Sequence, residues 1–526
     1  MRREDTYFEE FTNEQLWRRY CGFLDLTLDE FRQIQEELLL DQIQRIAKSK
    51  LGMHIMGAIR PTSVDEFRAY VPLTTYQDYE PYLSDKEEDS LAEKPLLWSH
   101  SAGRSGKFKW IPHSQEALEK CTRSYLGAFI LASCSRKGEI NIRPGFKLLA
   151  TIAPPPYTSA FIMRGLTEGI TMQLIPPYKD VHQPFQERVQ KGFLIALRDG
   201  VDVIGALTSV LAKMGEEFGR QSRHMKFSPI MLHPLVLSRM IRALIISRKN
   251  KRPMLPKDIW KPKAIICSGL DTSIYKDAVE YYWGSPPHEL YAGTEGLIYA
   301  MQSWARKGLT FLPDMVFLEF LPYRVTAEAQ EDTQKTLLID ELKEGELYEV
   351  IISQLYGMPL LRYRTSDVIK VISKEDSETG IRLPQIEFQR RAEETIGLAG
   401  LAHLDEKIVW QALRNTKIDA SEWMACKEYE ENRPVLRLYI ELKGGTETED
   451  FIAQRVDQEL KEIDTDYRDV AEYIGSHPVR VSILSAGTFQ RYTSEKLAEG
   501  ADLAHLKPVH INPSDEIVKH IIALSS

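Results

Sequence analysis

The chain has 526 residues, too many for one hydrophobic core, so two or more domains are expected. Its 43% apolar and 27% charged content is that of a globular protein, and its formal net charge of -9 argues against a nucleic-acid binder, which needs a basic face. The five cysteines (Cys21, Cys121, Cys134, Cys267 and Cys426) are scattered without a CxxC pair, which argues against a disulfide framework or structural zinc and suits a reducing compartment. The opening MRREDTYFEEF lacks a signal-peptide core. The longest uncharged run, Leu148 to Met163, is too short to span a bilayer and holds three consecutive prolines. A cytoplasmic protein with no membrane span is therefore expected.

Residues 12 to 52 read as helical, with Thr27-Leu28-Asp29-Glu30 as a capping box ahead of Phe31, Ile34, Leu38 and Ile43. Leu96 to Ser99 and Phe108 to Ile111 read as strands around a polar loop, followed by helical periodicity from Gln115 to Ala132. The basic cluster Ser247 to Arg252 reads as a solvated loop. Lys263 to Cys267 reads as a buried strand, Thr272 to Tyr282 as a helix and His288 to Tyr291 as a strand. This alternation is the mark of a mostly parallel α/β sheet with helices. Leu347 to Ser353, Leu360 to Tyr363 and Val368 to Ile372 are closely spaced strands, read as an antiparallel sheet or small barrel. After the hinge-like Arg391 to Gly400, alternating Leu436, Leu438, Ile440 and Leu442 and the amphipathic stretch Phe451 to Ile463 define a compact α/β module. The expected division is a large domain over 1–395, with a barrel-like subdomain, and a small mobile α/β domain over 396–526.

Three segments carry chemistry. Ser101-Ala102-Gly103-Arg104-Ser105-Gly106-Lys107-Phe108-Lys109 is a Gly/Ser/Lys loop whose amides, hydroxyls and ammonium groups suit phosphate oxygens, although it lacks Walker A spacing. Tyr291-Ala292-Gly293-Thr294-Glu295 follows a strand and offers an aromatic face, a hydroxyl donor and a carboxylate at the strand's C-terminal end, where α/β folds place ligands. Tyr363-Arg364-Thr365-Ser366-Asp367 ends in an acid at the start of an apolar run. Arg362 and Arg364 also fit outward-facing strand positions.

In this order, the segments resemble the adenylate-forming superfamily of acyl-CoA ligases, firefly luciferase and peptide-synthetase adenylation domains. Arg391-Ala392-Glu393-Glu394 sits where that superfamily has its hinge. Pro72 to Tyr82, Phe317 to Pro322, Gly345 to Ile351, Gly487-Thr488-Phe489 and Leu506-Lys507-Pro508 are similar to signatures of the plant auxin-responsive amido synthetase family and its microbial relatives. Departures are Ala102, Arg104 and Phe108 in the loop and Ser366, which replaces a Gly before Asp367.

The resemblance implies ATP-dependent activation of a small carboxylic acid to an acyl-adenylate, then transfer to an amino-acid amine; coenzyme A as acceptor is the rival reading. A catalytically silent binding homologue is the third. It further implies Glu295 as the Mg²⁺ ligand, Thr294 as donor to the α-phosphate, and Tyr291 packed on adenine. Ser101, Gly103, Ser105, Gly106 and Lys109 would lie at the β- and γ-phosphates. Ser268 and Gly269 would shape the adenine pocket, Asp367 would hold the ribose, Arg391 would be a further nucleotide-binding residue, and Lys507 would be the mobile catalytic lysine.

Overall fold

The computed structural model describes residues 2–102, 108–150, 152–183, 185–222, 233–268, 272–323, 335–391, 395–398, 402–430, 433–445, 447–464, 467–468, 471, 478–498 and 510–525. The expected capping box is present: Thr27 Oγ accepts the Glu30 amide at 3.2 Å, and the Glu30 carboxylate accepts the Thr27 amide at 2.7 Å. The helical stretch around it is segmented into Asn13–Cys21, Leu28–Ile46 and Lys50–Met56, because Thr12, Thr27 and Ser49 each cap a fresh start.

Strands β1 (Leu97–Ala102) and β2 (Phe108–His113) form a hairpin of their own. The next eleven strands make one sheet: β3 (Phe146–Ala150), β4 (Met172–Ile175), β5 (Val203–Leu207), β6 (Ala264–Ser268), β7 (His288–Tyr291), β8 (Ala300–Gln302), β9 (Leu309–Phe311), β10 (Val316–Pro322), β11 (Leu347–Gln354), β12 (Tyr363–Ser373) and β13 (Gln385–Arg391). Their order is β10-β11-β12-β13-β9-β8-β7-β6-β5-β3-β4. Neighbours are parallel from β4 to β7 and antiparallel from β7 to β10.

Strand β6 explains the parallel half. Ala264 and Ile266 enter the core shared with helix Gln115–Ser133, whereas Ile265 and Cys267 enter a second core with Trp260 and Trp283. A strand buried on both faces reads as an unbroken apolar run, as Ala264 to Cys267 does. The strands expected as an antiparallel sheet or barrel are the other half of this same sheet. The short strands β8 and β9 carry the sheet across, and β9 meets β13 where Leu309 faces Ile386. Parallel pairing is thus confined to one half of the sheet rather than prevailing throughout.

The C-terminal α/β unit has a separate core. Strands β14 (Ile396–Leu398) and β15 (Ala402–Leu404) pair, and β16 (Ala420–Glu430), β17 (Arg433–Leu442) and β18 (Val479–Leu484) form a three-stranded sheet. Leu436, Leu438 and Ile440 pack with Val409 and Ala412 of helix Glu406–Thr416 and with Ile452, Val456 and Leu460 of helix Glu449–Ile463. Ile396, Leu398 and Leu404 belong to this core, so the chain changes cores within a few residues of Arg391. Among the described residues no helix is long and apolar enough to cross a membrane. All five cysteines are free and buried.

Candidate active site

Strand β12 is irregular where its motif lies. Val368 faces Glu349 and Arg364 faces Ile351, so Thr365, Ser366 and Asp367 bulge opposite the single residue Val350. Ser366 adopts φ +62°, the left-handed region that favours glycine, so the serine at the family's Gly position keeps glycine-like backbone geometry. Thr365 donates its hydroxyl to the Val350 carbonyl at 2.7 Å and accepts the Asp367 amide at 3.1 Å. The bulge aims Asp367 at β7: the Tyr291 hydroxyl donates to Asp367 Oδ2 at 2.8 Å. Arg391, opposite Asp367 on β13, donates Nε to Oδ1 at 3.2 Å.

Burial pushes the Asp367 carboxyl above its ordinary pKa. The Arg391 charge and the Tyr291 bond oppose this, and the negative charge of Glu295 adds to it. Burial likewise raises Tyr299, Tyr363 and Tyr76, and Glu295 raises each further. Glu295 and Asp367 therefore share one electrostatic neighbourhood.

Tyr291 is 4% exposed, with ring centroids of Tyr299 at 4.8 Å and Phe388 at 5.7 Å. The expected open aromatic face is thus taken up by protein, and what Tyr291 supplies is the position of Asp367. The turn after it runs through Thr294 and Glu295, both half-buried. Its path depends on glycine: a Cβ on Gly296 would lie 2.3 Å from Tyr299 Cε1 and 2.7 Å from Val316 Cγ1, and one on Gly293 would lie 2.8 Å from the Tyr299 hydroxyl. The turn is tied down by Gln354 at the end of β11, whose Nε2 donates to the Glu295 carbonyl at 2.7 Å while its Oε1 accepts the Leu360 amide at 3.2 Å. Sequence reading passed over Gln354; the only local signal is a lone amide closing an apolar strand.

The loop hairpin meets this region through Tyr76. Ser101 pairs with Lys109 across β1 and β2, and Lys109 Nζ stands 5.8 Å from the Tyr76 ring centroid. The Tyr76 hydroxyl accepts the Trp110 amide at 2.8 Å. Gly103, Arg104, Ser105 and Gly106 lie outside the described residues, as do Gly269 and Lys507. Ser268 ends β6, half-buried, opposite Leu290 of β7.

Arg362 is not an outward strand residue. At φ +45° it turns inward, forms a fork on Glu319 at 2.9 and 3.0 Å, and donates to the Arg68 and Val71 carbonyls and to Thr336. Arg364 does face outward, half-exposed and paired with Glu349. The signature around Pro72 joins here too: the Thr74 amide donates to the Arg362 carbonyl at 2.9 Å, and the Arg364 amide donates to the Thr74 carbonyl at 2.8 Å.

Among the described residues no three His, Cys, Asp or Glu side chains stand together as a resident metal cluster. One half-buried carboxylate on a turn, Glu295, is instead the donor set that suits Mg²⁺ arriving with phosphates, since that ion keeps waters and takes one or two protein carboxylates.

Comparison with known proteins adds the following. Residues 21–179 match the GH3 family N-terminal domain, 309–391 the GH3 family central domain and 406–516 the GH3 family C-terminal domain. The chain is 26% identical over 252 residues to the indole-3-acetic acid-amido synthetase GH3.8 of Oryza sativa subsp. indica, covering 44% of this chain and 40% of that protein. It is 24% identical over 220 residues to a GH3 domain-containing protein of Homo sapiens, covering 39% of each. The chain thus spans about two fifths of the length of these curated relatives. In structure it is similar to a GH3.15 acyl acid amido synthetase solved with 2,4-DB (TM-score 0.68, 17% identity, 98% of this chain and 97% of that one). A 2-hydroxyisobutyryl-CoA ligase in the postadenylation state is similar at TM-score 0.62 and 11% identity, over 95% of this chain and 92% of that one. At such identities the structural likeness speaks to the fold, which is the two-part α/β architecture of both enzymes.

Proposed function

Because this chain belongs to the GH3 family, we propose that it is an ATP-dependent ligase that activates a small carboxylic acid as its acyl-adenylate and conjugates it to an amino acid. One observation carries this reading: Glu295 and Asp367, far apart in sequence, share one neighbourhood fixed by Tyr291, Gln354 and Arg391. In the first step a carboxylate oxygen bonds to the α-phosphorus of ATP, the α–β phosphoanhydride bond breaks, and pyrophosphate leaves with the bonding pair. In the second, the amine nitrogen attacks the acyl carbon, AMP leaves, and the nitrogen gives up a proton.

Both reactants of the first step are anionic, so the site must align them and offset charge more than move protons. Glu295 would hold Mg²⁺, which offsets phosphate charge when bound with ATP. Thr294, beside it, donates to the α-phosphate. Asp367 accepts from the ribose hydroxyls, with Tyr291 and Arg391 fixing its two oxygens. Ser101, Gly103, Ser105, Gly106 and Lys109 take the outer phosphates, Ser268 and Gly269 border the base, and Lys507 steadies charge in the adenylation step. Residues 1–395 form the body and 396–526 a lid that closes over it. A cytoplasmic location fits the five free cysteines.

Carboxylate-dependent exchange of labelled pyrophosphate into ATP tests the reading. Exchange with at least one acid supports it, and none across a broad acid panel would favour a silent binder. Coenzyme A as acceptor is the second reading, favoured by the fold shared with the CoA ligase. Product masses with amino acids and with coenzyme A decide between the two.

A further inference from the structure

Helix Pro234–Lys249 takes no part in the site above. One face, Val236, Met240 and Ala243, is buried in the second core of the large unit. An exposed flank of the same helix is apolar as well. Leu235, Leu237, Ile241, Leu244 and Ile245 are each between 44% and 62% exposed. Positions 237, 241, 244 and 245 follow helical spacing and so form one stripe. Single exposed leucines are ordinary on a protein surface, but a contiguous stripe marks a contact surface.

Cations border this stripe. Arg248 and Lys249 close the helix, Lys251 follows, and no acidic residue occurs in the sequence from Pro234 to Lys257. Nearby arginines are already engaged: Arg239 bonds the Leu197 and Arg198 carbonyls, Arg242 the Ile259 carbonyl, and Arg252 the Asp258 carboxylate. Arg248, Lys249 and Lys251 are exposed, and among the described residues none of them forms an ion pair. The cluster that read as a plain solvated loop is therefore the cationic edge of an apolar face.

We propose that this face docks on an anionic lipid surface, with the aliphatic stripe entering the headgroup boundary and Arg248, Lys249 and Lys251 meeting lipid phosphates and carboxylates. The charge pattern chooses this occupant over a second copy of the chain. A second copy meeting the stripe would present a face with no carboxylate from Pro234 to Lys257 to pair with these cations, whereas anionic headgroups neutralise them. With a net charge of -9, the whole chain has no general attraction for such a surface, so binding must be local to this patch. The helix lies on the membrane rather than through it. The proposal is independent of the ligase reading.

The test is co-sedimentation of the full chain with phosphatidylcholine vesicles, with and without phosphatidylserine, at low and high salt. Binding is expected only with phosphatidylserine and is expected to weaken as salt rises. Arg248→Gln and Lys249→Gln should each lower the partition constant about fivefold. The double variant Ile241→Ser, Ile245→Ser should lower it about tenfold or more. These side chains are exposed, so thermal unfolding should be unchanged and serves as the folding control. Equal binding to both vesicles, no binding at low salt, or binding indifferent to the variants overturns the proposal. So does a dimer, seen by light scattering, that the isoleucine variant dissolves, since that assigns the face to a second copy.

Discussion

Two arginine–carboxylate pairs stand at either end of the same short motif, and they differ in almost every respect except chemistry. The Arg362–Glu319 pair has side-chain exposures of 4% and 1%, and its remaining donors are taken up by Thr336 and two backbone carbonyls. The Arg391–Asp367 pair meets at 3.2 Å, with the arginine 45% exposed. The first is closed and can only hold Arg68, Val71, β10 and β12 together. The second sets a half-exposed cation beside a buried carboxylate whose pKa burial has raised, a combination common at functional sites. Opposite charges in contact thus differ in kind according to whether solvent reaches the cation.

The largest effect should fall on the closed pair. Arg362→Leu leaves Glu319 buried without its cation and should cost about 4 kcal/mol in chemical denaturation. A loss under about 1 kcal/mol would show that the pair is not the clamp described. The C-terminal unit offers a third cluster to set beside these two. His510 is buried between Glu406 (2.6 Å) and Glu422 (2.8 Å) and stacked on Trp423. Burial opposes its charge, but the two carboxylates outweigh this and hold its pKa up to about 10. A histidine raised on folding stabilises fully below its ordinary value near 6.5 and loses that contribution as pH climbs through about 10. His510→Gln should therefore cost about 3 kcal/mol at pH 6 and flatten the alkaline fall in melting temperature. An unchanged pH profile would contradict the charged clamp.

The open pair should respond in the reverse sense. Asp367→Asn should cut pyrophosphate exchange about 100-fold without loss of stability at pH 7. The sign follows from the raised pKa. A carboxyl raised on folding lowers stability as pH rises from about 3.8 through its folded value, and this penalty persists above it. The amide escapes the penalty, so any stability gain should vanish in acid. Normal exchange in the variant would remove Asp367 from the site. Gly296→Ala forces a Cβ against Tyr299 and Val316 and should cost about 2 kcal/mol, with exchange reduced. The smallest effect is expected from Ser366→Gly, which relieves a positive φ and should add roughly 0.5 kcal/mol with exchange within twofold of the parent.

What could be read in advance was local. The Thr27–Glu30 capping box, the doubly buried β6 and the carboxylates after β7 and within β12 each lie within a few residues of their own signals. What could not be read depends on distant partners. Arg362 is buried because Glu319 and the carbonyls of Arg68 and Val71 receive it, and nothing beside Arg362 in the chain announces them. Gln354 matters through the carbonyl of Glu295. Tyr291 lost its open face to Tyr299 and Phe388, which no spacing reveals. The continuity of the sheet turns on Leu309 meeting Ile386, a pairing that hydrophobic periodicity does not encode.

Arg390 sits one residue before Arg391 on β13, and strand geometry turns the two towards opposite faces. Arg391 grips Asp367, while Arg390 reaches Asp405, the residue that caps the first helix of the C-terminal unit. If the proposed lid turns, the Arg390–Asp405 ion pair would pass that motion to Arg391 and the bulge of β12 through the single peptide that joins the two arginines.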